Sequence, residues 1–403
     1  MVKSPVRSIV AAISVAAACW SDAGFPPRIR LRDAVSLRTG YSLPVVEHAF
    51  DTLFGSLRRD AVEAIIADEL ACLDVLDDFV ERPGRPRARA LPAGRVCVVS
   101  SRSTIGVAIV PAIFALCAKC EVLVKDREDY LATAFFETVA GELGELRHAL
   151  SAQAWSGERD SSMLGNFDVV VAFGDDATLA RISAQVRPPA RLVAYGSRIS
   201  AGYLTRDALE SERVALDVAR RAARDLVLYE SEGCLSLHAL FVERGANISP
   251  ESFGELLAAA VEAASGEYPL SRREARPAAR LAAARDRASF GASSVVRTLS
   301  DPAASFLILV DPPNDEPPIM LPRAVAIRSV ESVSEMRAYF ERHALTLEAL
   351  AVERARSDIV DAAVEMRTPR ITPFGSLQSP PLGTFHGGRP RIAEFVRWVV
   401  DET

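Results

Sequence analysis

The sequence predicts an α/β protein with two domains, each built on a largely parallel sheet. Three observations carry this. The chain has 403 residues, more than one hydrophobic core usually supports. Its hydrophobic share of 49% and charged share of 25% are those of a globular chain. Its apolar segments are short continuous runs separated by amphipathic helices, the pattern of parallel strands covered on both faces.

The elements follow in chain order. Met1 to Trp20 carries Lys3 and Arg7 before an apolar run; it mimics a secretory signal but reads better as an amphipathic helix, too short to span a membrane. Residues 44–80 place Leu53, Leu57, Ile66, Leu70 and Leu73 at helical spacing. Residues 82–89 form a basic stretch broken by Pro83 and Gly84, expected as a linker loop, solvated or facing an anionic carrier or CoA phosphate. Then come strands at Arg95 to Ser100, Glu121 to Lys125, Asp168 to Phe173 and Arg191 to Tyr195. Helices at Val107 to Cys117, Tyr130 to Leu146 and Asp176 to Ala184 separate them. This is a Rossmann-type pattern, although no GxGxxG is present.

Ligands bind such sheets at the carboxyl ends of the strands. Ser100 and Ser101 end the first strand, Lys125 ends the second, and Gly174 follows the third and opens a helix. A lysine there suits a ribose hydroxyl or phosphate, and a glycine lets backbone N–H groups approach one. These four residues are the candidate cofactor-binding set.

A helix over Arg206 to Tyr229 leads to Glu230-Ser231-Glu232-Gly233-Cys234-Leu235-Ser236-Leu237-His238. Cys234 lies between a glycine turn and an apolar strand, a setting for a nucleophilic thiolate or for a small buried apolar residue. His238 is either a neighbour that lowers the thiol pKa or a structural histidine. Further on, Ser249-Pro250 starts a helix through Ala264, and residues 276–289 form another. Strands at Phe306 to Val310, Arg323 to Ile327 and Leu345 to Val352, with a helix at Glu335 to His343, complete a second α/β domain.

The Gly233-Cys234-Leu235-Ser236 segment, with its histidine and a strand ending in Val242-Glu243, resembles the cysteine motif of LuxC-type fatty acyl-CoA reductases, a branch of the aldehyde dehydrogenase superfamily. Gly375-Ser376-Leu377-Gln378-Ser379-Pro380-Pro381-Leu382 and His386-Gly387-Gly388 resemble that family's closing elements. The resemblance runs almost end to end. It implies an aldehyde dehydrogenase-like fold: residues 1–204 as N-terminal helices and cofactor domain, 205–370 as catalytic domain, and 371–403 as a tail lining a tunnel, joining subunits or covering a sheet edge. It implies reduction of an acyl-CoA, or a carrier-bound acyl thioester, to an aldehyde through S-acyl-Cys234. NADPH is the expected cofactor, NADH the alternative, with Arg127 suited to a 2′-phosphate. An acyl-activating partner enzyme and a homo-oligomer are also implied.

The chain departs from the family at Ser101 to Gly106, where an asparagine turn is usual, at Ser197 in place of histidine, and at Gly387 in place of aspartate. The oxyanion role then falls to Ser103, Thr104 or the Cys234 N–H. No acid occurs between Arg191 and Gly202, where oxidising relatives carry the base that activates water, which favours reduction. The rival functions are a cysteine acyltransferase without hydride transfer, an NAD(P)-dependent aldehyde dehydrogenase, and a silent subunit.

The net charge of -6 gives no electrostatic case for nucleic acid. Six cysteines without framework spacing fit a reduced, cytoplasmic setting. Cys117 and Cys120 form a CxxC without a second pair, expected to be packed rather than to bind metal.

Overall fold

The computed structural model describes all residues except 1, 102–103, 128–129, 158–162, 271–274 and 291–296. The chain folds as two units: 1–39, 46–197 and 381–403 form the first, and 40–45 with 198–380 the second. The α/β class expected from the sequence is the fold found.

In the first unit, helices Val6–Ser21, Pro26–Thr39, Leu43–Ser56 (from Val46 onward) and Arg59–Leu70 come first. The opening helix buries Ile9, Val10, Ile13, Ala17 and Trp20 on one face, so its apolar run is a core stripe. Trp20 packs against Phe25, Phe50, Phe54 and Phe135, and its indole N–H donates to Thr138 Oγ1 at 3.0 Å. Among the described residues no single helix is long and apolar enough to cross a membrane.

The expected linker at 82–89 is instead a hairpin, β1 (Val80–Arg82) and β2 (Arg85–Pro92). Pro83-Gly84 is only its turn, and arginine alternates with buried Ala88 and Ala90. Alanine is too small to make that two-residue period conspicuous. Four strands follow close to expectation, with one unexpected strand among them: β3 (Arg95–Val99), β4 (Glu121–Lys125), the unexpected β5 (Leu150–Gln153), β6 (Val169–Phe173) and β7 (Arg191–Tyr195). They form a parallel sheet in the order β5-β4-β3-β6-β7. The chain builds outward from β3 on one side and from β6 on the other, so β3 and β6 flank the topological switch point.

The second unit carries β8 (Ile199–Leu204), β9 (Leu237–Glu243), β10 (Arg297–Leu299), β11 (Leu307–Val310), β12 (Ala324–Val330), β13 (Leu347–Val352) and β14 (Ile371–Pro373). Their order is β10-β11-β12-β9-β8-β13-β14, parallel except for β10. Two register shifts flank β8. Ser200 pairs with Leu237 and Ala201 with Ala239, leaving His238 extra; Ile199 pairs with Leu347 and Ser200 with Ala349, leaving Glu348 extra. Ala201, Tyr203, Phe241, Met336, Phe340 and Leu350 form the core on one face. The helix at Pro250–Glu267 starts as expected, with Ser249 Oγ accepting from Ser252 N at 3.2 Å.

The tail divides between the units: β14 edges the second sheet, while β15 (Val396–Asp401) pairs antiparallel with β2 in the first unit.

The aromatic cluster around Trp20 sets the cost of disturbing the first unit. Trp20→Ala should destabilise it by about 3–5 kcal/mol, read as a lower urea midpoint with the slope retained.

Candidate active site

The turn that presents Cys234 is built against resistance. Tyr229, Glu230 and Ser231 take φ of 55°, 54° and 58°, a run of left-handed residues that costs ~1–2 kcal/mol each. Burial holds them there. Arg323 Nε and Nη2 donate to Glu230 Oε1 at 3.1 and 2.7 Å, with both side chains almost wholly buried. Ser231 Oγ donates to Leu226 O at 3.1 Å, and Tyr41 Oη to Glu232 Oε2 at 3.0 Å. Beyond this run Ser236 N bonds Gly233 O at 3.0 Å, closing a turn around Cys234.

The turn is fixed to its sheet from two sides. Ser200 Oγ on β8 donates to Cys234 O at 2.8 Å, and Gln378 Nε2 donates to Ser236 Oγ at 2.8 Å. Asp225 in turn holds the segment carrying Gln378, accepting from Gly375 N at 2.6 Å and Leu377 N at 3.1 Å. Arg370 supports the same segment through Leu377 O at 2.8 Å and through Ser376 O.

Cys234 lies at the amino end of β9, partly exposed. Burial of its thiol, with the Glu348 charge, pushes it up to about 12; the Cys234 and Leu235 N–H groups and Arg198 act the other way. His238 is buried and neutral: burial lowers it to about 4, and Nε2 lies 3.2 Å from Ser231 O. A neutral imidazole supplies no positive charge to a thiolate, so of its two readings the structural one holds.

In the first unit, Ser100, Lys125 and Gly174 stand at the carboxyl ends of neighbouring strands β3, β4 and β6. Ser100 is buried and its Oγ donates to Ser101 O at 3.2 Å; Ser101 Oγ accepts from Thr104 N at 3.3 Å. Lys125 is fully buried with Nζ 5.1 Å from the centre of the Trp155 ring. Gly174 lies so close to Thr178 that an added Cβ would stand 3.1 Å from its methyl group. The following helix, Asp176–Ser183, already has its amino end capped by Asp175, which accepts from Thr178 N at 2.7 Å. This acidic helix start disfavours an anion. Arg127 is half-buried; Glu128 and Ser103 lie outside the described residues.

The fold has counterparts among solved structures. The chain superposes with a TM-score of 0.74 on aldehyde dehydrogenase 21 from Physcomitrella patens, at 11% identity over 98% of this chain and 85% of that one. An oxidoreductase from Marinobacter aquaeolei gives 0.75 at 12% identity, over 100% and 87% of the two chains. An NAD-dependent benzaldehyde dehydrogenase from Corynebacterium glutamicum gives 0.71 at 13%, over 99% and 86%. No curated protein matches the sequence. The model of the family described as acyl-CoA reductase (LuxC) matches residues 1–398.

The chain belongs to the LuxC acyl-CoA reductase family. It is an aldehyde-forming oxidoreductase that reduces an acyl-CoA with a nicotinamide cofactor. The tail resemblance of this LuxC-family reductase now has a physical content, because Gln378 braces the cysteine turn. At Gly387 and Gly388 φ is 59° and 74°, and a glycine adopts that pair of left-handed residues at least cost. His386 beside them packs on Tyr195 and Phe173, ring centres 4.8 and 6.0 Å away, over the ends of β6 and β7. Cys117 and Cys120 are buried thiols pushed up to about 12 and about 11, packed rather than reactive.

Tyr41, Arg198, Asp225, Glu230, Arg323 and Glu348 escaped the sequence reading. For Asp225 and Glu348 the signal was charge in apolar surroundings: Glu348 sits in Leu347-Glu348-Ala349-Leu350, and Asp225 on the buried stripe of its helix.

Burial raises Asp225 to about 7, above the ~3.9 of an unfolded chain. Between those values the native state keeps a proton the unfolded chain has lost. That stabilisation is present at low pH and is lost as pH rises through about 7. The unfolding free energy of wild type relative to Asp225→Asn should therefore fall from about pH 4 to about pH 7, by up to ~4 kcal/mol. Urea titrations at each pH measure it, and a pH-independent difference would contradict the shift.

Proposed function

We propose that the reduction runs through a thioester on Cys234. The observation that carries this is the Cys234 turn, tied to β8 through Ser200 and braced by Gln378 through Ser236, which presents a partly exposed cysteine at the amino end of β9. Cys234 attacks the acyl carbonyl, and the CoA sulfur leaves with the bonding pair, taking up a proton. When bound, a nicotinamide would supply the hydride that reduces this thioester. Collapse of the thiohemiacetal on Cys234 then releases the aldehyde and returns the sulfur.

Lys125 and Ser100, with Ser101 and Gly174, are the residues we assign to holding the cofactor. Their support is their shared position at strand ends beside the switch point. NADPH is the proposed form, and Arg127 is the residue that would hold its 2′-phosphate. The acyl group is delivered as a CoA or carrier thioester by an acyl-activating partner, in the cytoplasm. Self-association uses β15, an edge strand whose Trp398, Val399 and Val400 are exposed.

The test follows nicotinamide absorbance and intact mass over a panel of acyl-CoAs with NADPH or NADH. Wild type should oxidise cofactor in an acyl-dependent way, and Cys234→Ala should lose at least about a thousandfold while keeping its melting curve. Mass gain at Cys234 without oxidation would instead indicate an acyltransferase. In light scattering, wild type should be a dimer or larger and Trp398→Asp should shift toward monomer.

A further inference from the structure

Three adjacent strands bring charge to the amino edge of the second sheet. Cys234 precedes β9, Arg198 precedes β8, and Glu348 is the extra residue of the register shift in β13. An extra residue re-aims a side chain, and such bulges gather beside reacting groups. Glu348 is only 3% exposed, in a strand otherwise apolar. Arg198 Nε lies 3.7 Å from Glu348 Oε2, and Arg198 Nη1 donates to Leu347 O at 3.4 Å. Cys234, just before β9, and Glu348, in β13, thus belong to the two strands that flank β8, at the same edge, and the Glu348 charge acts on Cys234 and on Arg370.

A thiolate beside an ionised Glu348 would set a second negative charge against a buried one, which desolvation disfavours. Moving the proton from sulfur to carboxylate keeps the site at one negative charge, and Arg198 stays paired with it. We propose that Glu348 is the proton acceptor for Cys234 and then the proton donor to the departing CoA sulfur. The S–H bond breaks as Glu348 gains O–H. Sulfur bonds the acyl carbon as the carbon–sulfur bond to CoA breaks, and the Glu348 proton passes to CoA. Nothing is oxidised or reduced in this half. The proposal rests on Cys234 being the nucleophile. It assigns the base to β13, not to the acid-free segment between Arg191 and Gly202.

The charged groups that act on the pair are Arg198 before β8 and Arg370 before β14; His238 on β9 is neutral and bonds backbone at Ser231. Ionised Glu348 accepting a proton makes Cys234 reactivity nearly independent of pH from about 6 to about 9, whereas a lone thiol gains about tenfold per pH unit. Alkylation of Cys234 by iodoacetamide, quantified on its peptide by mass, reads this directly. Wild type should be flat. Glu348→Gln should react about tenfold slower at about pH 6.5 and climb with pH, and Glu348→Asp should restore much of the flat profile. A Glu348→Gln rate equal to or faster than wild type would overturn the proposal, leaving Glu348 a repulsive neighbour. If Glu348→Gln does not fold, a steep wild-type profile alone overturns it. Acyl-CoA labelling separates the two readings. No acyl group on wild-type Cys234 sinks the nucleophile itself, while acylation at one rate and one pH profile in wild type and Glu348→Gln sinks only Glu348.

Discussion

The buried pair of Glu230 and Arg323 is the constraint on which the reactive end of the second unit depends. Three consecutive side chains in left-handed conformation would relax into an ordinary turn if nothing opposed it. Arg323 opposes it with two hydrogen bonds to one carboxylate oxygen, while its Nη1 and Nη2 also donate to Ser265 Oγ and Tyr268 O. Four of the five guanidinium N–H donors are matched by these bonds, as a pair at this depth requires. Such an arrangement contributes little net stability beside an apolar pair of equal volume. What it fixes is direction: the chain leaves the helix Glu212–Val227, reverses, and enters β9 with Cys234 at the mouth of the strand.

The two sheets carry their chemistry at opposite ends. In the first unit the candidate cofactor residues stand at carboxyl ends, where the change of winding direction opens a crevice. In the second, Cys234, Arg198 and Glu348 gather at amino ends, and the two shifts beside β8 decide which side chains face that edge. One shift leaves a histidine extra and the other a glutamate. Burial makes them different: His238 is neutral and bonded to backbone, whereas Glu348 has an arginine beside it.

Much of the fold was legible because parallel strands buried on both faces write themselves as apolar runs. β4 and β7 were bounded correctly from residues alone, since Glu121 and Arg191 stop the runs at one end and Lys125 and Tyr195 at the other. The hairpin of β1 and β2 was not, because its inward residues are alanines between arginines and its turn reads as a linker. Nor was the short edge strand β14, whose three residues include a proline. At the cysteine, the motif was legible but its support was not. Tyr41, Arg323 and Gln378 are distant in sequence, and nothing in the period of a strand or helix shows which distant residues meet.

Residue order has a consequence for how the molecule is made. The whole second unit lies within the sequence of the first, and β15 pairs with β2 across that interval. During synthesis the second unit is complete and free to fold while the first still lacks its third antiparallel strand and His386. Until then the backbone edge of β2 with which β15 will pair is open to other chains. Nascent protein is thus most exposed to misassembly at its earlier-made half, and chaperone demand should fall late, when that strand emerges.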